Sequence, residues 1–477
     1  MFEKKDFLLG YAPTRRNIFS REDALKYKIK IREKIQKLGY KLVDIEDCAT
    51  EGLLLSDSDA EKTIKKFKDK NVDAVFSPHC NFGTESATAK VAVSVGKPFL
   101  LWGPRDEAPL ADGSRLRDTQ CGLFATSKIL QRFNAPFTYI VNSGMDDEVF
   151  ARGFENFARA ANVVKVFKKI RIGQIGVRPG DFWTVICNEG ELLERFGVEI
   201  VPFNLGDIVS MAKEMRQKPD EEFNKTYDFV IKNMNVEIEK ESLKNIVALK
   251  AVMKKIASEQ GINAFAIQCW TSLQAMFGIL PCLANSLMFD DKIPVACETD
   301  INGAISALIA QAAAFNENPV FFADLTIRNP EDDNSELLWH CGPFPSSLRK
   351  KGEKGSVGCH FVLDGFPPGT CNWEIKGGDV SIIRFDGVNG KYCLFVGEAK
   401  GIEGPKTKGT YLWIKAKDWS LWEEKLIMGP YIHHIAGVHG LLSPVLYEAS
   451  KYINGVCFDP AEPSLDEIKD WLACRKK

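Results

Sequence analysis

The chain has 477 residues, of which 45% are hydrophobic and 26% are charged, and its formal net charge at neutral pH is −2. This length predicts two to four domains, because single hydrophobic cores stop growing at smaller sizes. The near-zero charge excludes the electrostatic footprint of proteins that bind nucleic acids or anionic membranes, so we expect neither partner.

Two further features indicate a cytoplasmic protein. No apolar run reaches the roughly 18 residues that a membrane-spanning helix needs, and the first residues lack the apolar segment of a signal peptide. The 13 cysteines are scattered without a CxxC pair, and most lie in apolar runs. This pattern favours buried thiols in a reducing compartment over disulfides or zinc ligands.

In the N-terminal third, short apolar runs alternate with amphipathic stretches, which is typical of a doubly wound parallel sheet. Predicted strands at 73–76 and 98–102 end in loops that carry His79, Asn81 and Trp102. This mixture of polar and aromatic side chains suits contact with a small polar ligand. A basic stretch at 163–169 precedes a new strand and indicates a domain boundary.

The segment 292–341 carries the strongest candidate site. The apolar run 293–297 predicts a buried strand ending at Glu298, and 320–323 predicts a second strand ending at Asp324. Between them, 301–315 predicts a helix capped by Asp300. Strand, helix and strand predict a βαβ unit with parallel strands, so both carboxylates would lie at the carboxyl edge of one sheet. Open α/β sheets bind their ligands at that edge.

Other polar residues follow neighbouring elements. Gln268 and Trp270 follow a predicted strand at 262–267, and His340 precedes a predicted turn. Glutamate, aspartate and histidine form a ligand set for a divalent ion such as manganese. The charged segment 219–255 predicts one or two helices with a solvated face.

From residue 351 onward, glycines separate short alternating runs, which predicts β-hairpins in a small barrel or sandwich. Three of the six histidines of the chain lie in the segment 432–442. His433 and His434 are adjacent, so in a strand they point to opposite faces and only one can bind a given ion.

Four of these segments resemble the L-fucose isomerase and L-arabinose isomerase superfamily, and most strongly fucose-isomerase-like proteins. They are ACETDINGA around Glu298, the PVFFAD strand that ends at Asp324, the WHCGPFP turn at His340 and the late His-His pair. The resemblance implies two Rossmann-like α/β domains, at 1–168 and 169–345, followed by a β-rich barrel-like domain at 346–477. The overall fold class we expect is therefore α/β with two doubly wound domains.

The resemblance also implies that the protein binds a divalent cation, usually Mn²⁺, and interconverts an aldose and a ketose. Glu298 and Asp324 match the acidic metal ligands, His434 fits best as the third ligand, and His340 matches an additional ligand of the arabinose branch. Closed homo-oligomers, trimers or hexamers, are implied as well, with the N-terminal domain of a neighbour covering the site.

These residues suit proton transfer between C1 and C2 of a monosaccharide through an enediol. A bound metal acidifies the proton, and Glu298 and Asp324 would serve as base and acid. The expected substrate-contacting residues are Gln268, Trp270, His79, Asn81 and Trp102.

Two alternatives remain open from the sequence. One is a non-catalytic sugar-binding protein of two α/β lobes. The other is an NAD-dependent oxidoreductase, which the incomplete glycine fingerprint disfavours. The sequence does not identify the sugar.

Overall fold

A computed structural model describes residues 3–361, 365 and 367–475, which divide into two compact units. The terminal unit comprises Met1–Lys165, Pro444–Asn454 and Leu465–Lys477, and the central unit comprises Val166–Ser443 and Gly455–Ser464. Both ends of the chain thus belong to one unit. The predicted division into 1–168, 169–345 and 346–477 stays a prediction.

The terminal unit contains a five-stranded parallel sheet. Its strands are β1 (Leu8–Tyr11), β2 (Lys41–Val43), β3 (Ala74–Pro78), β4 (Phe99–Trp102) and β5 (Thr138–Tyr139). Its helices are α1 (Arg21–Lys37), α2 (Asp57–Asp69), α3 (Glu85–Val95), α4 (Thr119–Arg132), α5 (Glu148–Phe167), α14 (Ser443–Ser450) and α15 (Leu465–Leu472). The strand order is β2-β1-β3-β4-β5, and every pairing is parallel.

Local sequence explains where these elements begin. Helix α2 starts with a reciprocal capping box, in which the Ser56 side chain accepts from the Asp59 N–H and Asp59 accepts from the Ser56 N–H. Such a box satisfies two backbone donors that a helix start otherwise leaves free. Side chains of α2, β3 and β4, among them Phe67, Val75 and Leu101, then form one buried cluster.

The central unit holds the remaining elements. Its helices are α6 (Glu189–Phe196), α7 (Leu205–Gln217), α8 (Glu221–Asn233), α9 (Lys240–Gln260), α10 (Ser272–Phe277), α11 (Cys282–Asp290), α12 (Ile301–Ala313) and α13 (Trp419–Met428). The strands up to residue 340 are β6 (Arg171–Ile175), β7 (Glu199–Phe203), β8 (Asn235–Val236), β9 (Ala264–Ile267), β10 (Val295–Ala296), β11 (Val320–Arg328) and β12 (Ser335–His340). The later strands are β13 (Ser356–Cys359), β14 (Pro368–Glu374), β15 (Gly378–Val388), β16 (Lys391–Ile402), β17 (Thr410–Lys415), β18 (His434–His439) and β19 (Val456–Pro460).

A four-stranded parallel sheet with the order β10-β9-β6-β7 forms one layer of this unit. Because the strands are parallel, the residues that follow β6, β9 and β10 all lie at one edge of the sheet. Gly176, Gln268 and Cys297 begin those three segments. The sheet therefore brings the loops after Ile175, Ile267 and Ala296 together.

The other sheet of the central unit is mixed and has ten strands in the order β19-β16-β15-β18-β11-β12-β17-β14-β13-β8. Strand β16 also pairs with β17, so six of the strands close into a ring while four extend beyond it. The hairpin of β15 and β16 turns at Asn389 and Gly390, both at positive φ, as a two-residue hairpin loop requires. Two parallel sheets and this β-rich sheet confirm the predicted fold class.

The predicted βαβ unit around Glu298 and Asp324 is wrong. Strand β11 does not join the parallel sheet: it is antiparallel to both β12 and β18 in the ten-stranded sheet. The apolar run 320–323 is only the first half of a nine-residue strand, whose second half pairs with β12 across the polar turn at 329–334. The two carboxylates therefore come from different sheets.

The charged segment 219–255 does form helices, but a solvated face is the wrong description of α9. Eleven of its 21 residues are buried. Lys250 is among them, and its Nζ lies 2.5 Å from Asp291 and also contacts Glu222. A buried cation with acidic partners looks like a surface charge in the sequence alone.

Among the described residues, no helix has the length and apolar character that crossing a membrane would require.

Candidate active site

Glu298 lies in a strained turn directly after β10. A short 3-10 turn spans Cys297–Thr299, and within it Glu298 has φ 52° and Thr299 has φ 60°. Non-glycine residues in this left-handed region cost on the order of 1–3 kcal/mol each, and such residues cluster at functional sites. The threonine is β-branched, which makes its conformation less favourable still.

The two carboxylate oxygens of Glu298 have different surroundings. Oε1 accepts hydrogen bonds from Trp270 Nε1 at 2.9 Å and from Cys269 Sγ at 3.3 Å. Oε2 has no hydrogen-bond partner among the described residues, and it lies 3.3 Å from Nε2 of His434. The side chain is thus fixed through one oxygen and presents the other to the histidine.

Asp324, His434 and His340 come from three neighbouring strands of the ten-stranded sheet. Asp324 on β11 pairs directly with His434 on β18, and directly opposed residues point to the same face. Nε2 of His434 lies 3.5 Å from Asp324 Oδ1, and Nε2 of His340 lies 3.9 Å from the same oxygen. The ten-stranded sheet therefore supplies one carboxylate and two imidazoles, and the parallel sheet supplies the other carboxylate.

Three buried polar atoms of these residues lack a hydrogen-bond partner among the described residues: Glu298 Oε2, Asp324 Oδ1 and His340 Nε2. Ligand atoms of Glu298, His340 and His434 all lie within 4.8 Å of one another. Unsatisfied buried polar atoms are rare in folded proteins, and a bound ion or water is one way to satisfy them. Two carboxylates and imidazole nitrogen are ligand types that Mn²⁺ and similar divalent ions accept, so the residues fit such an ion.

The two histidines differ at their Nδ1 atoms. Nδ1 of His434 lies 2.9 Å from Asp300 Oδ2, so it carries a hydrogen and donates to the carboxylate. Nδ1 of His340 lies 2.9 Å from the backbone N–H of Cys341, an obligatory donor, and 3.3 Å from the Cys341 thiol. We assign His340 Nδ1 as an acceptor, which puts the hydrogen on Nε2. Only His434 therefore presents a lone pair at Nε2 once that nitrogen is deprotonated.

The pKa values of Glu298 and His434 are shifted strongly and in opposite directions. Burial raises the pKa of Glu298, but the adjacent positive charge of His434 outweighs it and brings the value to about 2. Burial lowers the pKa of His434, but the hydrogen bond to Asp300 and the adjacent charge of Glu298 outweigh it and raise the value to about 10. The pocket thus stabilises a positive charge at His434 Nε2. A divalent cation can replace that proton.

His433, the other member of the His-His pair, is exposed, whereas His434 is buried. The backbone carbonyl of His433 accepts from the Leu325 N–H at 2.9 Å. Its ligand atom falls within 4.8 Å of those of Asp324 and His434, whereas His434 belongs both to that group and to the group with Glu298 and His340. The geometry favours His434 over His433.

Gln268 and Trp270 lie at the same edge as Glu298. The Gln268 carboxamide accepts from the Val177 N–H at 3.1 Å and donates to Ser272 at 3.0 Å, so it joins the loops after β6 and β9. Trp270 contacts Glu298 directly.

The other three predicted substrate residues, His79, Asn81 and Trp102, lie in the terminal unit and are fully buried there. Asn81 accepts from the Arg16 N–H at 2.8 Å, and Trp102 donates to Ser143 at 3.2 Å. His79 Nδ1 contacts the Phe82 carbonyl at 2.7 Å. Each of them makes hydrogen bonds within its own unit.

Sequence reasoning missed three residues around the centre. The sequence pattern indicates Cys269 only as one of the cysteines in apolar runs, although its chain neighbour Trp270 is a candidate. It indicates Asp300 only as a helix cap, and it assigns no role to Arg384. A single arginine in the alternating run Ser-Ile-Ile-Arg-Phe was the available signal, since a buried cation needs an acidic partner.

Comparison with known proteins identifies related chains. Residues 10–168 match the family model described as fucose/sulfoquinovose isomerase, N-terminal domain. The chain is 26% identical over 458 residues to a sulfoquinovose isomerase of Priestia megaterium, covering 93% of this chain and 97% of that protein. A sulfoquinovose isomerase of Alkalicoccus urumqiensis is 25% identical over 362 residues, which is 75% of this chain and 79% of the relative.

A solved structure was also matched. It is a periplasmic solute-binding protein of an ABC transporter from Actinobacillus succinogenes 130z with bound D-allose. The identity is 13% and the TM-score is 0.17, over 64% of this chain and 92% of that one.

Proposed function

We infer that this chain belongs to the fucose/sulfoquinovose isomerase family of aldose–ketose isomerases. From this premise we propose that its reaction depends on a divalent cation held at the candidate active site. The proposed ligands are Glu298, Asp324 and His434. His340 stands beside them as a hydrogen-bond donor rather than a fourth ligand, because its Nδ1 accepts from the Cys341 N–H. Mn²⁺ is the ion we expect.

One observation carries this proposal. Oε2 of Glu298 and Oδ1 of Asp324 are buried, lack partners among the described residues and lie 3.3 Å and 3.5 Å from the same nitrogen, His434 Nε2. Two carboxylates so close to one imidazole repel each other unless a cation lies among them. A protonated ring partly meets that need, and a metal ion meets it fully.

Such a cation, when bound, would polarise the oxygens on C1 and C2 of the sugar and so acidify the proton that isomerisation moves. The protein groups must then remove a proton from one carbon and deliver one to the other. We assign Asp324 and Glu298 to this work. We propose transfer through an enediol, in which a carboxylate within reach of the reacting carbons accepts the proton and returns it.

The two carboxylates have unequal roles in this proposal. The Asp324 side chain is 18% exposed, whereas that of Glu298 is 7% exposed and is fixed by Trp270 and Cys269. The more accessible Asp324 approaches the substrate more directly. A cation bound in place of the His434 proton would keep the Glu298 carboxylate ionised between turnovers.

Sulfoquinovose is the first sugar that we propose as substrate, because the relatives carry its name. It bears an anionic sulfonate, which L-fucose lacks, so recognition needs a cation. Arg178 follows Val177, whose carbonyl accepts from the Thr299 hydroxyl at 3.3 Å beside Glu298. Carbonyls of its own loop hold one end of the Arg178 guanidinium at 3.1 to 3.3 Å. We propose Arg178 as the group that binds the sulfonate.

The remaining substrate contacts are also proposals. Gln268 and Trp270 would contact the sugar from the edge of the parallel sheet. His79, Asn81 and Trp102 belong to the terminal unit, and we propose that they act within a homo-oligomer, a trimer or hexamer, by shaping the pocket of a neighbouring subunit.

The experiment is a sugar panel assayed with metal analysis. The protein is stripped with chelator, reloaded with Mn²⁺ and incubated with sulfoquinovose, L-fucose, L-arabinose and common hexoses, and products are followed by NMR. We expect turnover only in the reloaded sample. Arg178→Gln should reduce turnover of sulfoquinovose more than turnover of neutral sugars.

Three variants test the ligand assignment. Glu298→Gln and His434→Gln should lose bound Mn²⁺ and activity together, whereas His340→Gln, which keeps an N–H donor, should retain the metal. Full metal content and full activity in Glu298→Gln would contradict the proposal.

A further inference from the structure

Behind His434 lies a buried ionic network that the proposed chemistry does not use. It consists of Asp300, Arg384, Asp386 and Asn302, all of which are at most 5% exposed. Asp300 and Asn302 belong to the start of α12, and Arg384 and Asp386 lie on β15. Strand β15 is a direct neighbour of β18, which carries His434.

Asp300 has four contacts, two through each oxygen. Oδ1 accepts from the Gly303 N–H at 2.9 Å, which caps α12, and from Arg384 at 3.2 Å. Oδ2 accepts from Arg384 at 2.5 Å and from Nδ1 of His434 at 2.9 Å. One side chain thus connects a helix start, a buried cation and the proposed metal ligand.

Arg384 binds two carboxylates at once. In addition to Asp300, its Nε donates to Asp386 Oδ2 at 2.8 Å and its terminal nitrogen donates to the same oxygen at 2.5 Å. The other oxygen of Asp386 accepts from Asn302 at 2.8 Å. Only the planar fork of arginine can donate to two carboxylates in this way, because lysine offers a single point charge.

The network controls which nitrogen His434 presents. A carboxylate at Nδ1 forces the hydrogen onto that atom and leaves Nε2 to face Glu298 and Asp324. The neighbouring His340, whose Nδ1 faces a backbone N–H, presents the opposite arrangement. Two histidines in one site therefore differ through the group behind each ring.

We propose that Asp300 and Arg384 are positioning residues for the divalent cation, an inference that rests on the proposed function. Asp300 fixes the tautomer and orientation of His434. Arg384 fixes Asp300 between the helix start and the ring. Outer carboxylates of this kind typically account for a 10- to 100-fold difference in metal affinity.

The test uses two substitutions at Asp300 that both retain a helix cap. Asparagine and serine are good N-caps, so either variant can still accept from the Gly303 N–H. Asp300→Asn removes the negative charge from the contact with His434, and Asp300→Ser removes the contact, because the shorter side chain does not reach. We expect both variants to bind Mn²⁺ about 10- to 100-fold more weakly by calorimetry.

Asp220 provides the matched control. It caps α8 in the same unit by accepting from the Phe223 N–H at 2.8 Å, and it is exposed. Asp220→Asn and Asp220→Ser also retain a helix cap, so they should leave both the melting temperature and the Mn²⁺ affinity close to the wild-type values. Equal weakening of metal binding in the Asp220 and Asp300 pairs would overturn the inference.

A spectroscopic readout separates positioning from folding. With Co²⁺ as the probe, the visible absorption bands report the ligand set and geometry of the ion. We expect these bands to change in Asp300→Asn and in Arg384→Lys, which keeps a positive charge but loses the fork. The Arg384 variant gives an independent result if an Asp300 variant does not fold.

The outcomes distinguish this inference from the proposed function. Suppose that wild-type protein binds Mn²⁺ and that the folded Asp300 and Arg384 variants bind it equally well with unchanged Co²⁺ spectra. The positioning inference is then overturned, and the proposed function is not. If wild-type protein binds no Mn²⁺ at a site that includes Glu298, the proposed metal dependence is overturned and the inference with it.

Discussion

Glu336 lies on β12, the strand that ends at His340, and it should make the stability of the enzyme depend on pH. Its side chain is buried on a strand paired with β11 and β17. Burial, assisted by the nearby charge of Glu423, raises its pKa from 4.5 to about 7. Glu336→Gln removes the ionisable group while conserving shape.

The sign follows from proton linkage. The folded protein holds the Glu336 proton more tightly than the unfolded chain does. Below pH 4.5 the residue is protonated in both states, and its contribution to the free energy of unfolding is then fully present. As the pH rises from 4.5 to 7, the unfolded chain ionises first and stability falls, and above 7 the difference stays constant. Each pKa unit corresponds to about 1.4 kcal/mol. Allowing for partial access of water to the carboxyl, we expect Glu336→Gln to be more stable than wild type by about 2 kcal/mol at pH 8.

Urea unfolding of wild type and Glu336→Gln at several pH values between 5 and 8 measures this difference. The gain should be small at pH 5 and should rise towards pH 7 and then level off. Glu331→Gln, at an exposed position in the preceding turn, is the control and should stay within about 0.5 kcal/mol of wild type throughout. A Glu336→Gln effect that is the same at pH 5 and pH 8 would refute the reasoning.

Three further predictions concern the site and the assembly. Trp270→Phe should lower kcat/KM about 10- to 100-fold in steady-state kinetics, because it removes the 2.9 Å hydrogen bond to the Glu298 carboxylate. The control is Trp183→Phe, at a position 75% exposed, and an equal loss in that variant would contradict the prediction. Gly303→Ala should destabilise the protein by about 1–3 kcal/mol in urea, because the new Cβ would lie 2.6 Å from the Phe322 ring; unchanged stability would mean that the site can relax. Sedimentation should show a trimer or hexamer, and a fully active monomer at nanomolar concentration would contradict the assembly proposal.

Much of the terminal unit could be predicted from the sequence, because its signals are local. The run 98–102 predicts β4 to within one residue, and the run 73–76 predicts β3 to within two residues. Capping residues and glycines define these boundaries without reference to the rest of the chain. Parallel α/β pairing then follows from alternation.

The surroundings of Asp324 could not be predicted in the same way. Its four apolar predecessors are equally compatible with a parallel strand and with the first half of an antiparallel one. The choice depends on pairing with β18, which comes far later in the chain. Glu298 and Asp324 nevertheless share a neighbour, His434 Nε2, although the two residues belong to different sheets.

The network behind His434 shows a second limit. Asp300 has the sequence signal of a helix cap, and it does cap α12, so nothing local indicates its second contact with His434. Arg384 becomes meaningful only when β15 places it, fully buried, against two carboxylates. Contacts of buried charges depend on tertiary structure that periodicity does not contain.

The most direct test of the central claim is isomerisation in heavy water. Protein loaded with Mn²⁺ is incubated with sulfoquinovose in D₂O, and the deuterium content at C1 and C2 of substrate and product is measured by NMR. Proton transfer by Glu298 and Asp324 through an enediol predicts solvent deuterium at C1 of the ketose or C2 of recovered aldose, and a sharp decrease in this exchange in Asp324→Asn. Ketose formed without any solvent deuterium would contradict the account, because the carboxylates would then hold the metal without moving the proton.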